Sequence, residues 1–457
     1  MINSPKITFC SGVSTVTGAN FIFESSKGKK IMIDCGLIQG EKVAMEENKK
    51  PFVYDLNSFE ALVITHAHLD HVGRIPKLVK SGYKGPIYST PETRELAELV
   101  LNDAAGILAE EAKRDGMEPI YDLNDVQAVF PLWKTVKYHE PLQLAEDVSI
   151  TLKDAGHILG SSMVEITTDN SAKKILFTGD LGNSPAPLLC NTEIIGEIDY
   201  LVMESVYGNR NHESREGRAE KFREVILETM NRGGTLVIPT FSIDRTQILL
   251  YELNNLVEKN LVPRVPIFVD SPMAIRATEI YAGSKYLFND KVREQINHGD
   301  DIFKFPRLEF TISKNESQDI SRMNGAKIIL AGSGMSVGGR VISHERHYLP
   351  DPKSTILLVG YQAAGSLGRE LADGAKKVKI YGDIIKIKAR IETLYGYSAH
   401  KDSDHLVEFV STATDKLKKV FVVMGEPGAE MYLAQRINDE LVVKAVVPRE
   451  GETVELG

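Results

Sequence analysis

Six residues, His66-Ala67-His68-Leu69-Asp70-His71, constrain this chain more than any other stretch. They follow the apolar run Ala61-Leu62-Val63-Ile64-Thr65 and precede the helix-like Val72-Gly73-Arg74-Ile75-Pro76-Lys77-Leu78-Val79. A strand ending in a loop that opens a helix sets side chains on a rigid strand end, where function gathers. In an extended loop His66 and His68 point the same way, so two nitrogens can meet one metal ion. Asp70 and His71 lie one turn further on, placed for a second ion close by. Nitrogen and oxygen donors suit Zn²⁺ first, with Mn²⁺ able to stand in. Three imidazoles and a carboxylate within six residues are too dense for a merely polar loop.

The length of 457 residues exceeds one ordinary domain and points to two. Apolar content of 42% and charged content of 26% are those of a soluble globular protein. No apolar run is long enough to span a bilayer, and Met1-Ile2-Asn3-Ser4-Pro5-Lys6 does not begin a signal peptide. A cytoplasmic protein with no membrane partner is expected. Cys10, Cys35 and Cys190 stand far apart and form no CxxC pair, which argues against zinc ribbons and disulfide frameworks. The net charge of −9 argues against broad coating of nucleic acid, yet it leaves room for a local basic cleft.

Further along, one grammar recurs: an apolar strand, a small residue, then a ligand-type side chain. Lys30-Ile31-Met32-Ile33 follows the strand Phe21-Ile22-Phe23 and ends in Asp34, which reads either as a carboxylate orienting a metal-bound histidine or as a plain turn residue. Residues 88–144 read mainly as helices, including 92–113. The alternating strand 148–152 leads to Asp154-Ala155-Gly156-His157. Residues 174–177 lead to Thr178-Gly179-Asp180, and 200–203 lead to Glu204-Ser205. His157 completes a three-histidine set with His66 and His68, and Asp180 can bridge two ions with its two oxygens.

Beyond Glu204 the pattern becomes strand, glycine-bearing turn and helix, repeated. That is a parallel sheet covered by helices, hence a second domain. Ligands of such sheets bind at the carboxyl ends of the strands. There the backbone of Gly332-Ser333-Gly334 and of Gly365-Ser366-Leu367-Gly368 is suited to phosphate, with Arg245, Arg340 and Arg369 beside these turns. Ordinary turn glycines and surface arginines are the plainer account of each. The last portion returns to the first domain, with strands at 379–381 and 384–387 and a helix opened by Tyr397-Ser398-Ala399-His400-Lys401-Asp402.

His-x-His-x-Asp-His after a strand resembles the metallo-β-lactamase superfamily. An insertion after Glu204-Ser205-Val206-Tyr207-Gly208, the later Ser398-Ala399-His400, and Asp270-Ser271-Pro272-Met273-Ala274 narrow the resemblance to its β-CASP nuclease branch. That branch includes the pre-mRNA 3′-end cleavage nuclease and ribonuclease J, and this chain is closest to its minimal bacterial two-domain form. The resemblance implies an α/β fold: an αββα sandwich (1–205 and 391–457) carrying a β-CASP cap (206–390). It implies two zinc ions, one held by His66, His68 and His157, the other by Asp70 and His71, with Asp180 bridging them and Asp34 behind the ligands. It implies that Glu204 orients His400 near the scissile phosphate. The implied activity is metal-dependent hydrolysis of single-stranded RNA, with DNA as the second substrate type, leaving 5′-phosphate and 3′-hydroxyl ends. A homodimer is compatible with this reading.

One departure stands out. RNA-cleaving members carry a zinc-ligand histidine where this chain has Met424, and DNA-processing members lack it. A thioether is a poor ligand for Zn²⁺, so the second site is expected to be the weaker one. Glu426 and His405 are the nearby substitutes. Two alternatives follow: a lactonase- or thioesterase-type hydrolase of small molecules, which would not need the cap, and a weakly active nucleic-acid-binding scaffold, which Met424 favours.

Overall fold

The computed structural model describes residues 4–40, 42–168, 173–212, 217–413 and 416–457; Met1 to Asn3, the head of the segment read as no signal peptide, lie outside them. The chain divides into two compact units, Met1–Asn211 with His400–Gly457, and His212–Ala399.

The first unit holds two seven-stranded sheets. One runs in the order Thr453–Glu455, Lys6–Ser11, Asn20–Glu24, Lys30–Ile33, Phe59–Val63, Ile87–Ser89, Trp133–Thr135. The other runs Ala445–Val446, Lys419–Val422, Tyr200–Met203, Lys173–Phe177, Ser162–Thr168, Val148–Asp154, Leu142–Ala145. Lys6–Ser11 shows the period of two that pairs such sheets: Ile7 and Phe9 are buried while Lys6 and Thr8 are half-buried. Ile7, Phe9 and Phe23 meet Ile150, Phe177 and Phe421 in one core cluster. Fully burying one such side chain contributes ~1.5–3 kcal/mol. Ile175 and Phe177 serve that core, whereas Leu176 faces a second cluster with Leu406, Val410, Leu433 and Ile437. Those four lie on helices Ser403–Ser411 and Pro427–Leu441, which cover the outer face of the second sheet. Sheet on sheet with helices outside is the αββα arrangement. Residues 88–144 are mainly helical as expected, with Pro91–Asp115 spanning the helix read at 92–113 and Leu123–Gln127 following it, while Ile87–Ser89 and Trp133–Thr135 extend the first sheet at its edge.

The second unit is built on a six-stranded parallel sheet in the order Leu308–Phe310, Ile267–Val269, Lys327–Ala331, Thr235–Pro239, Thr355–Val359, Arg390–Leu394. Its central strands are buried along their whole length, the consequence of helices on both faces. The cap boundary read at residue 390 differs from this division: Arg390–Leu394 pairs with Thr355–Val359 and completes the cap sheet. Lys377–Ile380 and Asp383–Lys386 also belong to this unit, as a separate two-stranded ribbon. Among the described residues no helix is long and apolar enough to cross a membrane.

Candidate metal centre

The donor residues sit where the strands of the first unit end. Phe59–Val63 delivers Thr65, His66 and His68, and the short helix Leu69–Val72 delivers Asp70 and His71. His68 occupies the helix N-cap without spending its side chain on capping. The turn is laced to the neighbouring strand end by backbone bonds from Cys35 N–H to the His71 carbonyl (2.9 Å) and from Leu37 N–H to the Leu69 carbonyl (3.0 Å). Gly36 lies between them because a Cβ there would stand 1.5 Å from the Asp70 carbonyl oxygen. Only glycine fits so close an approach.

His66 Nε2 and His68 Nδ1 are 3.1 Å apart, and His157 Nε2 is 3.2 Å from His68 Nδ1. Asp180 Oδ2 stands 3.4 Å from His66 Nε2 and 3.5 Å from His157 Nε2. One donor atom from each of these four residues lies within 4.8 Å of the others. Burial and then neighbouring His66 push the His68 imidazole well below the ordinary range, while burial and His400 do the same to His157. Burial would raise Asp180, but the imidazoles of His71 and His66 hold it well below the usual carboxylate range. Two imidazoles held neutral, those of His68 and His157, beside an ionised carboxylate are the donor chemistry of a divalent cation.

A second point of convergence lies beside it. His71 Nε2 and Asp180 Oδ1 are 3.3 Å apart, both buried, and neither has a hydrogen-bond partner among the described residues. Burial would lower the His71 imidazole, but Asp180 and Asp34 hold it well above its ordinary range, so a proton occupies the place between these two atoms where a metal cation would be held by both. The residues therefore fit a metal there. Asp70 is half-exposed and its carboxyl is raised by burial, with His71, Asp180 and His66 all close enough to act on it. Like His71, it belongs neither to this four-residue group nor to the second compact group of donor atoms among the described residues, formed by Asp180, Glu204 and His400.

Behind His71 stands Asp34. Its Oδ2 is 2.7 Å from His71 Nδ1, its Oδ1 accepts from Thr65 N–H at 2.8 Å, and Oδ2 also accepts from the Thr65 hydroxyl at 2.8 Å. Thr65 is the residue that sequence reasoning missed. Its hydroxyl lies 3.2 Å from His66 Nδ1 and 3.3 Å from His71 Nδ1, and its side chain packs on Gly179. A hydroxyl-bearing β-branched residue just before the first histidine was the available signal.

His400 Nδ1 is 3.2 Å from Glu204 Oε1, and its ring centroid is 4.7 Å from that of His157. Glu204 is fully buried and accepts from Leu181 N–H (2.6 Å) and Val206 N–H (3.3 Å). Burial would lower the His400 imidazolium, but Glu204 and then Asp180 and Asp70 raise it to about 9. Arg210 lies over the Tyr207 ring at 4.5 Å, and that ring is 6.1 Å from His400.

Met424 is buried with its backbone in the left-handed region, and it lines a cavity with Asp34, Thr65, His71 and Glu204. Neither proposed substitute joins the cluster: His405 Nδ1 is 2.6 Å from Asp402, and Glu426 is exposed.

Several phosphate-binding expectations need correction. Ser366 caps helix Leu367–Ala372, accepting Arg369 N–H at 3.1 Å, and Gly368 N–H donates to the Met335 carbonyl. Ser333 N–H donates to the Gly338 carbonyl, and its hydroxyl accepts Val337 N–H. These groups are spent on holding their own turns. Among the described residues the amides of Gly332 and Gly334 show no such bond. Arg340 is committed to Asp270 and to the carbonyls of Thr311 and Ile312, and Arg245 is buried near the Tyr397 ring. Only Arg369 is exposed, paired with Asp373 at 2.9 Å.

Residues 23–201 match the family described as a metallo-β-lactamase superfamily domain, 246–371 the Beta-Casp domain, and 384–448 the Zn-dependent metallo-hydrolase RNA specificity domain. Ribonuclease TTHA0252 of Thermus thermophilus is 34% identical over 395 residues, covering 86% of this chain and 88% of its own length. This chain belongs to the metallo-β-lactamase superfamily, in its β-CASP branch. Other β-CASP relatives include the transcription termination factor FttA of Methanosarcina mazei, 31% identical over 99% of this chain and 71% of that protein. FttA of Thermococcus kodakarensis is 33% identical over 89% of this chain and 63% of its own length. A crystal structure of a protein of unknown function from Enterococcus faecalis shares the fold at a TM-score of 0.59 and 14% identity, over 99% of this chain and 100% of that one.

Proposed function

We propose that this β-CASP protein is a zinc-dependent ribonuclease that hydrolyses phosphodiester bonds of single-stranded RNA, with DNA as the second substrate type. The observation that carries this reading is the convergence of His66, His68, His157 and Asp180 on one point. A relative named as a ribonuclease, aligned over most of both chains, and the matched RNA specificity domain support RNA as the substrate class.

His66, His68 and His157 would hold one zinc, Asp70 and His71 the other, and Asp180 would reach both. When bound, the ions supply Lewis acidity toward a water and the phosphate oxygens. Asp34 keeps the Nε2 of His71 turned to the site by accepting a hydrogen bond from its Nδ1–H. His400, whose protonated form Glu204 favours, is the acid for the leaving 3′-oxygen. Cleavage then leaves a 5′-phosphate and a 3′-hydroxyl. Met424 supports the second reading, a weakly active nucleic-acid-binding scaffold, since it brings a thioether to the cavity wall beside His71.

The test is cleavage of end-labelled single-stranded RNA alongside metal content per chain. Wild type should carry zinc and cut, and chelation should stop it. His68→Ala and Asp180→Ala should each abolish cutting and lower zinc content. Full cleavage by Asp180→Ala rejects the site, and hydrolysis of lactones or thioesters without nuclease activity rejects the substrate class.

A further inference from the structure

The charge of the chain is unevenly shared. Counted in the sequence, residues 212–399 hold 27 Lys and Arg against 23 Asp and Glu, a net of +4, whereas the rest of the chain is −13. Within the cap the excess concentrates on the ribbon Lys377–Ile380 and Asp383–Lys386. Five lysines, at 376, 377, 379, 386 and 388, fall within thirteen residues that contain one carboxylate, Asp383. All five are exposed, and Asp383 is already paired with Arg346. No ion pair joins any of the five to a carboxylate among the described residues.

The register sharpens the point. Val378 and Ile380 point into the cap core, so Lys377 and Lys379 share the solvent face. Lys377 stands directly opposite Lys386, and Lys379 opposite Ile384. Like charges facing one another across an antiparallel pair destabilise it, and sheets ordinarily place a carboxylate there. The same face also shows an aromatic and an aliphatic group to water: Tyr381 in the turn is 67% exposed and Ile384 is 69% exposed. Uncompensated cations on a regular ribbon, with an exposed ring among them, fit a flexible polyanion with stackable bases.

We infer that this ribbon is a binding surface for the sugar-phosphate backbone of single-stranded RNA, with Lys377, Lys379 and Lys386 taking phosphates and Tyr381 stacking on a base. The inference rests on the RNA reading above, and it adds a contact made by the unit that carries none of the proposed metal donors. Its consequence is an affinity term that long RNA gains and that a minimal phosphodiester cannot.

The experiment replaces the three lysines together (Lys377→Gln, Lys379→Gln, Lys386→Gln) in the full chain, with the matching triple Lys→Arg variant as control. Binding of a uridine-rich single-stranded 30-mer is followed against salt in the presence of chelator, and hydrolysis of bis-p-nitrophenyl phosphate is followed with zinc. The glutamine variant should bind the 30-mer about tenfold more weakly, with a salt slope smaller by roughly 2 for three phosphate contacts on a single strand. The arginine variant should keep the wild-type slope, and all three proteins should hydrolyse the small diester alike. A glutamine variant with wild-type affinity and slope overturns the inference. Loss of attachment to phosphatidylserine vesicles with RNA binding intact overturns it too, in favour of a lipid-facing ribbon. If wild type binds and cuts no RNA at all, the proposed function fails and this inference falls with it.

Discussion

Asp34 Oδ2 lies 2.7 Å from Nδ1 of His71, and this pair decides which nitrogen of His71 faces Asp180. Asp34 adopts φ +57°, a left-handed conformation that asparagine tolerates nearly as well. Asp34→Asn therefore keeps the backbone while offering His71 an amide in place of a carboxylate. Metal at the His71 side should bind roughly 10–100-fold more weakly, the usual effect of losing such an orienting group. Competition with a chromophoric zinc chelator reads this directly. Unchanged affinity would mean that Asp34 serves only the turn.

His400 and Glu204 make a prediction about turnover. His400→Ala should lower the rate by ~10²–10⁴ while leaving zinc content near wild type. The imidazolium is held up to about 9, so activity is expected below that value and declines as pH rises and His400 loses its proton. Cations bound beside it favour the neutral ring, so the decline in the loaded enzyme is expected below 9. Glu204→Gln should move the alkaline limb lower still, with a milder loss at neutral pH. Loss of a zinc ion from His400→Ala would make it a ligand instead.

Asp270 supplies a prediction about stability. Burial would raise its carboxyl, but bonds from His344, Ser317, Thr311 and Arg340 hold it down at about 2, against an ordinary 3.8. A depressed folded value stabilises the cap fully above pH 3.8, and this contribution is lost as pH falls through 2. The shift corresponds to about 2 kcal/mol. Hydrogen exchange across residues 212–399 should accelerate through that window in wild type. In Asp270→Asn exchange should be faster already at pH 7 and depend less on acid.

The donor residues are legible in the sequence because each closes an apolar strand, and strand ends in a sandwich converge. Thr65 and Gly36 are not legible in that way. The role of Thr65 arises from bonds to Asp34 across the sheet, and that of Gly36 from the approach of the Asp70 carbonyl. The cap turns mislead for a related reason. Glycine and serine at a strand end read the same whether their amides face a ligand or, like Gly368, close on a neighbouring carbonyl. Arg340 likewise reads as a surface cation, although it is the partner of a fully buried aspartate.

Met424 carries the last prediction. Its N–H donates to the Gly12 carbonyl at 2.9 Å, and a Cβ on Gly12 would meet its sulfur at 2.8 Å, so the side chain is closely packed. It also walls the cavity shared with His71, which leaves the His71 site with few protein donors if the thioether does not bind. Met424→His places a nitrogen donor there. Without metal that imidazole is buried and unsatisfied, at a cost of about 1–3 kcal/mol, so the metal-free variant should melt several degrees below wild type. Added Zn²⁺ should then raise its melting temperature more than that of wild type, because stabilisation by a ligand of the folded state grows with the logarithm of its affinity. Its cleavage should need less added metal. The measurement is a zinc titration of melting temperature and cleavage rate for both proteins. Equal zinc-induced shifts and superimposable rate curves would mean that residue 424 fills space and does not govern the second site.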